Sequence, residues 1–390
     1  MKKSVLLLVS LLLFSNAVAE KLTLEEAIKI AQQESNAALV AKSSYESKEL
    51  AYKGFTADFY PQIHLSGAAP GLVRAINEIP QPDGASAYRY QNQLSSSAEL
   101  FVRQKIPLTG GSLFLSSGLS RIDILREEGD DSQLWRAQPV QLRFSQPLFQ
   151  INNMQWNKRI EDLMYKKSQS EYTEAMEQIA IDVTNKFFEL YLSQMSIENA
   201  KLNVEINDTL YRISQGRYQV GKIAENDLLQ NELALLNVQN ELENQQLNYE
   251  RQLEEFQILI GKQFRDSVVI LPPDDIIDIK VDPQKAITEA LENRSTLTNY
   301  KIQKVQADRR ISEAESDMGF SANLNATFGV NQNASQFDVA YQELIEQESA
   351  NISFSVPLFR WDKGRMDLQS AKLNRKSVES NIEMNREYFK

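Results

Sequence analysis

The chain has 390 residues, no cysteine, a single histidine (His64), 42 basic against 53 acidic side chains and a net charge of −11. That composition excludes thiol chemistry, most zinc sites and any histidine-pair mechanism, and its acidity argues against a nucleic-acid partner, since phosphate binding depends on basic residues. Mean hydropathy is −0.41, and past the N-terminal segment no run reaches the ~20 apolar residues of a membrane helix, so a chain that crosses a membrane must do it as a closed β-barrel.

Residues 1–19 read as a secretory signal: Lys2 and Lys3, an apolar run from Val5 to Phe14, then the small-residue box Ala17-Val18-Ala19. The mature chain is expected to begin near Glu20. A secreted protein without disulfides must hold itself by burial or assembly.

A helix is expected over 22–59. Thr23 sits at an N-cap position with Glu26 three residues on, Ala27, Ile28, Ala31, Ala38 and Ala41 form its apolar face, and Pro61 ends it. Residues 62–147 then alternate, as in Gln141-Leu142-Arg143-Phe144-Ser145, with a turn signal at Thr109-Gly110-Gly111 and polar spacers from Glu78 to Arg89 and Glu127 to Gln133. The region is long enough for about four strands. Alternation alone fits a soluble sheet with one wet face as well as a membrane barrel. Tyr60, Trp135, Phe144 and Phe149 near strand ends suit an interfacial aromatic girdle.

Residues 150–262 predict a long helical hairpin. Its return arm carries a seam at Leu228, Glu232, Leu235, Gln239, Leu242, Gln246, Tyr249, Leu253, Phe256 and Ile260, broken by the two glutamines. Gly216-Arg217-Tyr218-Gln219-Val220-Gly221-Lys222 supplies the turn, with both glycines expected to serve it. A linker follows over 263–283, containing Pro272-Pro273 and the acidic Asp274, Asp275 and Asp278, which lack the spacing of a cation loop.

The chain then repeats itself. Phe144-Ser145-Gln146-Pro147-Leu148-Phe149 returns as Phe354-Ser355-Val356-Pro357-Leu358-Phe359, and Ala27, Ala31 and Asp58 find counterparts at Ala286, Ala290 and Asp317. One unit of helix, strands and long helix is therefore expected twice: 20–262, and an incomplete copy at 284–390 with a helix over 284–318, strands over 320–357 and a further helix from 360. Only about thirty residues follow Phe359. The second hairpin is thus absent from this sequence, through truncation, fragmentation or unequal duplication, and a chain of this length is expected not to transport.

In order and spacing these motifs resemble the TolC family of outer-membrane efflux and secretion channels. The resemblance rests on Leu22 to Ile28 after the signal, Tyr60-Pro61, Gln146-Pro147-Leu148-Phe149, Arg217-Tyr218-Gln219-Val220-Gly221 and Asp227-Leu228-Leu229-Gln230. It implies an α+β membrane protein, internally duplicated and trimeric, in which β-barrel strands are joined to very long antiparallel helical hairpins. It implies a homotrimer in the outer membrane of a Gram-negative bacterium, with its helices in the periplasm. The expected partners are a periplasmic adaptor, an inner-membrane pump and outer-membrane lipid, with no nucleic acid, cofactor, metal or catalytic residue. The channel would serve a tripartite efflux pump or a type I secretion system. Gly216, Arg217, Tyr218, Val220, Gly221 and Asp227 would form the hairpin tip that meets the adaptor or gates the entrance. Asp227 is also placed to favour a helix N-terminus. Pro147, Leu148, Phe149, Pro357, Leu358 and Phe359 would turn strands into helices. The competing reading is a secreted coiled-coil rod or adaptor without a barrel; an enzyme is disfavoured, with His64 expected as a surface or lumen residue.

Overall fold

A computed structural model describes residues 20–80, 82, 85–126, 131–264, 268–273 and 280–389. The expected signal segment and the acidic Asp274, Asp275 and Asp278 lie outside the described residues. The chain forms two compact units, one from residues up to Glu46 with Gln169–Ala290, the other from Ser47–Ser168 with Leu291–Lys390.

In the first unit, strand β1 (Glu20–Thr23) pairs in parallel with β6 (Val268–Leu271), placing Leu22 beside Ile270. Helix α1 (Leu24–Glu34) opens with a complete capping box: Thr23 Oγ1 accepts from the Glu26 N–H at 3.3 Å and the Glu26 carboxylate accepts from the Thr23 N–H at 3.1 Å. The backbone hydrogen bond holds the Glu26 carboxyl below its ordinary range. The helix expected over 22–59 is therefore not continuous. Ser35 leaves helical geometry at ψ 149°, and its Oγ accepts from the Ala38 N–H at 3.1 Å, so it caps a second helix, α2 (Asn36–Ala57). The expected linker over 263–283 likewise holds a strand, because the β-branched run Val268-Val269-Ile270 closes the core over α1.

Helix α3 (Asn153–Gln219) has 67 residues, roughly 100 Å at ~1.5 Å per residue, and α4 (Glu225–Ile260) returns along it. The core gathers Leu22, Ala27, Ala31 and Ala38 with Val183, Phe187 and Leu190 of α3, Phe256 and Ile260 of α4, and Val268 and Ile270 of β6. On α4, Leu228, Leu235, Leu242, Tyr249, Phe256 and Ile260 are wholly or partly covered, while Gln239 and Gln246 are exposed. A 3.6-residue helix drifts against a strict seven-residue repeat, and Val238 and Gln245 take the covered places. The glutamines do not interrupt the seam; they lie outside it.

The second unit holds a six-stranded antiparallel sheet in the order β2-β3-β4-β5-β7-β8. Its strands are β2 (Gln62–Pro80), β3 (Ser86–Ile106), β4 (Gly111–Ile124), β5 (Ser132–Leu148), β7 (Ser321–Ala334) and β8 (Ile345–Ser355). The first strand region thus makes four strands and the second makes two. The helix expected over 284–318 breaks at Arg294 into α5 (Pro283–Asn293) and α6 (Ser295–Met318), and α7 (Lys363–Phe389) follows β8. Within this unit Tyr52 of α2 stacks on Tyr165 of α3 at 4.6 Å and donates to Asp162 at 2.8 Å. Arg309 of α6 reaches Asn157 at 2.7 Å and Asn153 at 3.1 Å on the first turns of α3.

Candidate functional site

Residues opposed across a sheet share a face, so the pairing ladder sorts every side chain. One line across all six strands reads Ile63, Val102, Leu115, Leu142, Phe328 and Glu348. Lines on the same face add Leu65 with Leu100, Leu113 with Phe144 and Ala326, Leu324 with Ile352, and Ala322 with Phe354. The opposite face reads His64, Phe101, Ser116, Gln141, Gly329 and Gln347 on one line, and Lys105, Ser112, Ser145, Asn325 and Asn351 on another. His64 stacks on Phe101 at 5.1 Å on this polar face.

The apolar face is bare. Ile63 is 70% exposed, Leu65 77% and Phe328 53%. A sheet that hid this face on its own helices would bury these residues. Among the described residues no helix is long and apolar enough to cross a membrane.

Aromatic clusters mark both ends of that face. Trp135 packs edge-on to Phe337 at 5.3 Å, Phe337 contacts Tyr341 at 5.5 Å, and the Arg121 guanidinium lies 5.3 Å from the Trp135 ring. At the other end Phe149 contacts Phe320 at 5.4 Å, Phe320 stacks on Phe354 at 6.0 Å, and Phe359 packs on Trp361 at 4.6 Å. Ala322 opposes Leu148 and Phe354, whereas Ala334 opposes Trp135. Twelve residues of β7 separate the two levels, about 40 Å of strand and about 30 Å once a barrel tilt of 35–45° is applied.

The second aromatic cluster coincides with the repeated strand-to-helix motif. Pro147 and Leu148 end β5, and Phe149 turns the chain at φ +58° before α3 begins. In the later copy β8 ends at Ser355, and the left-handed residues are Trp361 and Asp362, two to three places beyond Phe359. Pro357, Leu358 and Phe359 thus lie in an irregular link, with Leu358 92% exposed.

The hairpin tip is a Schellman turn. Gly221 adopts φ +71°, its N–H donates to Tyr218 at 2.8 Å, and the Lys222 N–H donates to Arg217 at 2.9 Å. Gly216 does not serve the turn. It lies inside α3, and an added Cβ there meets nothing within 4 Å. Arg217, Tyr218, Val220 and Gly221 are all exposed. The Asp227 carboxylate accepts from the Ala224 N–H at 3.3 Å and so caps α4. Asn231 ties the arms together, donating to Ser214 at 3.0 Å and to the Asp227 carbonyl at 2.8 Å.

Further down the hairpin, Lys186 bridges Glu189 and Glu255, both at 2.8 Å. Hydrogen bonding to Glu189 and Glu255 raises the lysine, and Lys186 holds the Glu255 carboxyl below its ordinary range. A depressed carboxyl stabilises the fold above its unfolded value and loses that contribution as pH falls through the depressed one. Both partners are open to solvent, so the pair is screened. Glu255→Gln should therefore lower hairpin stability only slightly near neutral pH, with the difference vanishing in acid and in high salt. Thermal unfolding of both proteins across pH and salt measures it. Tyr249, by contrast, is raised by burial, with its hydroxyl donating to the Val268 carbonyl at 3.2 Å.

Residues 112–262, which run from β4 through α4, match the family model described as outer membrane efflux protein. Comparison with curated protein sequences returned no match. Among solved structures, the chain is similar to CusC, described as forming a transmembrane channel, with a TM-score of 0.64 and 12% identity over 94% of this chain and 72% of that one. It is similar to the CmeC outer membrane channel of Campylobacter jejuni, with a TM-score of 0.62 and 17% identity over 93% and 67%. It is also similar to the outer membrane protein VceC of Vibrio cholerae, with a TM-score of 0.60 and 12% identity over 93% and 75%. Residues 112–262 are thus similar to the outer membrane efflux protein family, and the chain shares its fold with solved outer-membrane channels.

Proposed function

We propose that this protein is the outer-membrane channel subunit of an export system, a passive conduit through which substrate leaves the periplasm. The observation that carries this reading is the sheet: one exposed face that is apolar except at its two edge strands, a polar face behind it, and aromatic clusters about 30 Å apart, close to the thickness of a bilayer's hydrocarbon core. Such a sheet cannot remain open in lipid, because its edge groups would be unsatisfied. Three copies would close it, with the polar face lining the pore. The hairpin would stand in the periplasm and offer Gly216, Arg217, Tyr218, Val220, Gly221 and Asp227 to an adaptor coupled to an inner-membrane pump. The two strand-to-helix junctions support an ancestral duplication. A tripartite efflux pump and a type I secretion system use the same conduit. A secreted rod would account for the hairpin but leaves the apolar face without a purpose.

The test places one arginine on each face. Leu115 lies on the bare apolar face, midway between the aromatic clusters, and Ser116 on the polar face. Leu115→Arg should cost about 2–4 kcal/mol of membrane stability and should abolish recovery of the protein from carbonate-washed outer membranes. Ser116→Arg should be recovered at the parental level. Native mass of the parental protein in mild detergent should give three chains. Equal recovery of both variants, or a stable monomer needing no detergent, would overturn the reading.

A further inference from the structure

The free edges of the sheet carry opposite charges on the face that should be wholly apolar. β8 is one edge strand, and its Glu346 and Glu348 share the apolar face with Val330 and Phe328. Both carboxylates are exposed, and among the described residues neither makes a hydrogen bond or an ion pair. β2 is the other edge strand. Beyond its bulge between Ala68 and Gly71 the apolar face passes to Leu72, Arg74 and Ile76, opposite Leu94, Asn92 and Tyr90. The Arg74 guanidinium donates to Asn92 at 3.1 Å and is otherwise exposed. Two carboxylates facing lipid unpaired would be costly.

The strand ends show how the two edges would meet. Gln62, Arg103, Phe114, Arg143, Thr327 and Ser349 lie on one line across the sheet. From that line β2 runs eighteen residues toward the loop end and none the other way, while β8 runs four and six. The strands between them change progressively: β3 extends three residues past the line away from the loops, β5 five and β7 six. The sheet therefore slides about six residues in five steps, and one more step onto a second copy makes about seven. A one-residue slip would swap the faces, so the offset is six or eight. Those offsets correspond to strand tilts of about 35° and 43° at ~3.3 Å rise and ~4.8 Å spacing, within the range of membrane barrels. The parity also fits, because six alternating strands bring β2 of a second copy antiparallel to β8.

At an offset of eight, Arg74 of the second copy lies directly opposite Glu346. At six, Ile63 meets Phe354, Leu65 meets Ile352, and Leu72 opposes Glu346 with Arg74 on the adjacent diagonal. Either register brings the one basic residue of the β2 apolar face next to Glu346, and at an offset of eight Glu348 lies on the diagonal as well. We propose that the barrel closes head to tail, β2 of one copy on β8 of the next, with Arg74 pairing with Glu346 across the seam, so that each copy contributes six strands. With three copies, which rests on the proposed function, the barrel has eighteen strands, a size that leaves an aqueous channel.

The chain has no cysteine, so an engineered disulfide has no competitor. Two double variants cover both registers, Arg74→Cys with Glu346→Cys and Leu72→Cys with Glu346→Cys. After oxidation in isolated outer membranes, one of them should give dimers and covalently closed trimers on denaturing gels, and single-cysteine variants should give only monomers. Arg74→Glu should lower the temperature at which the detergent-resistant trimer dissociates, and adding Glu346→Arg and Glu348→Arg should restore it. A native-mass trimer in which neither pair cross-links and charge reversal has no effect overturns the seam while leaving the channel standing. A monomer overturns both.

Discussion

Replacing Gly261 with alanine should destabilise the first unit by on the order of 3 kcal/mol, combining the penalty of a left-handed residue with that of overpacking. Gly261 ends α4 at φ +76°, with its N–H bonded to the Gln257 carbonyl at 3.0 Å. A Cβ built there would lie 2.5 Å from the Glu34 carbonyl oxygen and 2.8 Å from the Ser35 Cα. Both obstacles are backbone, so no rotamer change relieves them. They are also the residues where α1 gives way to α2, so the clash falls on the turn that Ser35 caps. Either the α4 terminus or the α1–α2 corner must move, and both border the core of Ala31, Phe256 and Ile260. Thermal unfolding in detergent should show the loss, and protease cleavage near Glu34 should appear at temperatures where the parental chain resists. Gly216→Ala, inside α3 with open space around it, is the matched control; it should be neutral or slightly stabilising, because alanine is the better helix former. Equal stability of Gly261→Ala and Gly216→Ala would show that the corner is not tightly packed.

Local chemistry made much of this structure legible in the sequence. The Thr23–Glu26 capping box, the four strands between Gln62 and Leu148, the glycine turn at Gly221 and the strand-to-helix motif at Pro147 follow from side-chain period and turn residues. What escaped were features decided by distant partners. Leu22 reads as the start of a helix, and becomes a strand because Ile270, almost 250 residues later, offers it a parallel edge. Val268-Val269-Ile270 before Pro272 carried a signal for that strand, obscured by the polar residues around it. Ser35 carried another, as a capping residue inside a helical pattern. Gly216 misled by proximity: two glycines five apart suggested one turn, but the φ requirement falls on Gly221 alone. In the sheet, alternation revealed strands without showing which face was bare. That needed the register, which fixes Leu115, Leu142 and Phe328 on one line and places Glu348 beside them. The acidic pair of β8 and Arg74 of β2 could not be related from sequence, because their relation passes through the stagger of every strand between them.

Replacing Phe187 with alanine should cost about 3–5 kcal/mol, the usual loss for a fully buried phenylalanine. Phe187 and Phe256 are both 0% exposed. They face each other across the hairpin with ring centroids 6.4 Å apart at 61°. Val183 and Leu190, one turn to either side on α3, are equally enclosed, so the surroundings have little freedom to collapse into the space left. The consequence reaches beyond one contact. Phe187 is where α3 and α4 meet α1 and the β1–β6 pair, and the chain between Leu190 and Leu235 has few fully enclosed apolar side chains. The distal hairpin therefore depends on this point for its alignment. Leu192, on the same helix and 63% exposed, serves as control: Leu192→Ala should cost under about 1 kcal/mol, as surface changes do. Phe256→Ala should resemble Phe187→Ala, and the double variant should fall short of their sum by about 0.5–1.5 kcal/mol, the coupling of an edge-to-face aromatic pair. Unfolding measured in one detergent for all four proteins supplies the cycle. Strict additivity would show that the two rings pack independently, and that the hairpin is held by its helices' own cohesion rather than by this junction.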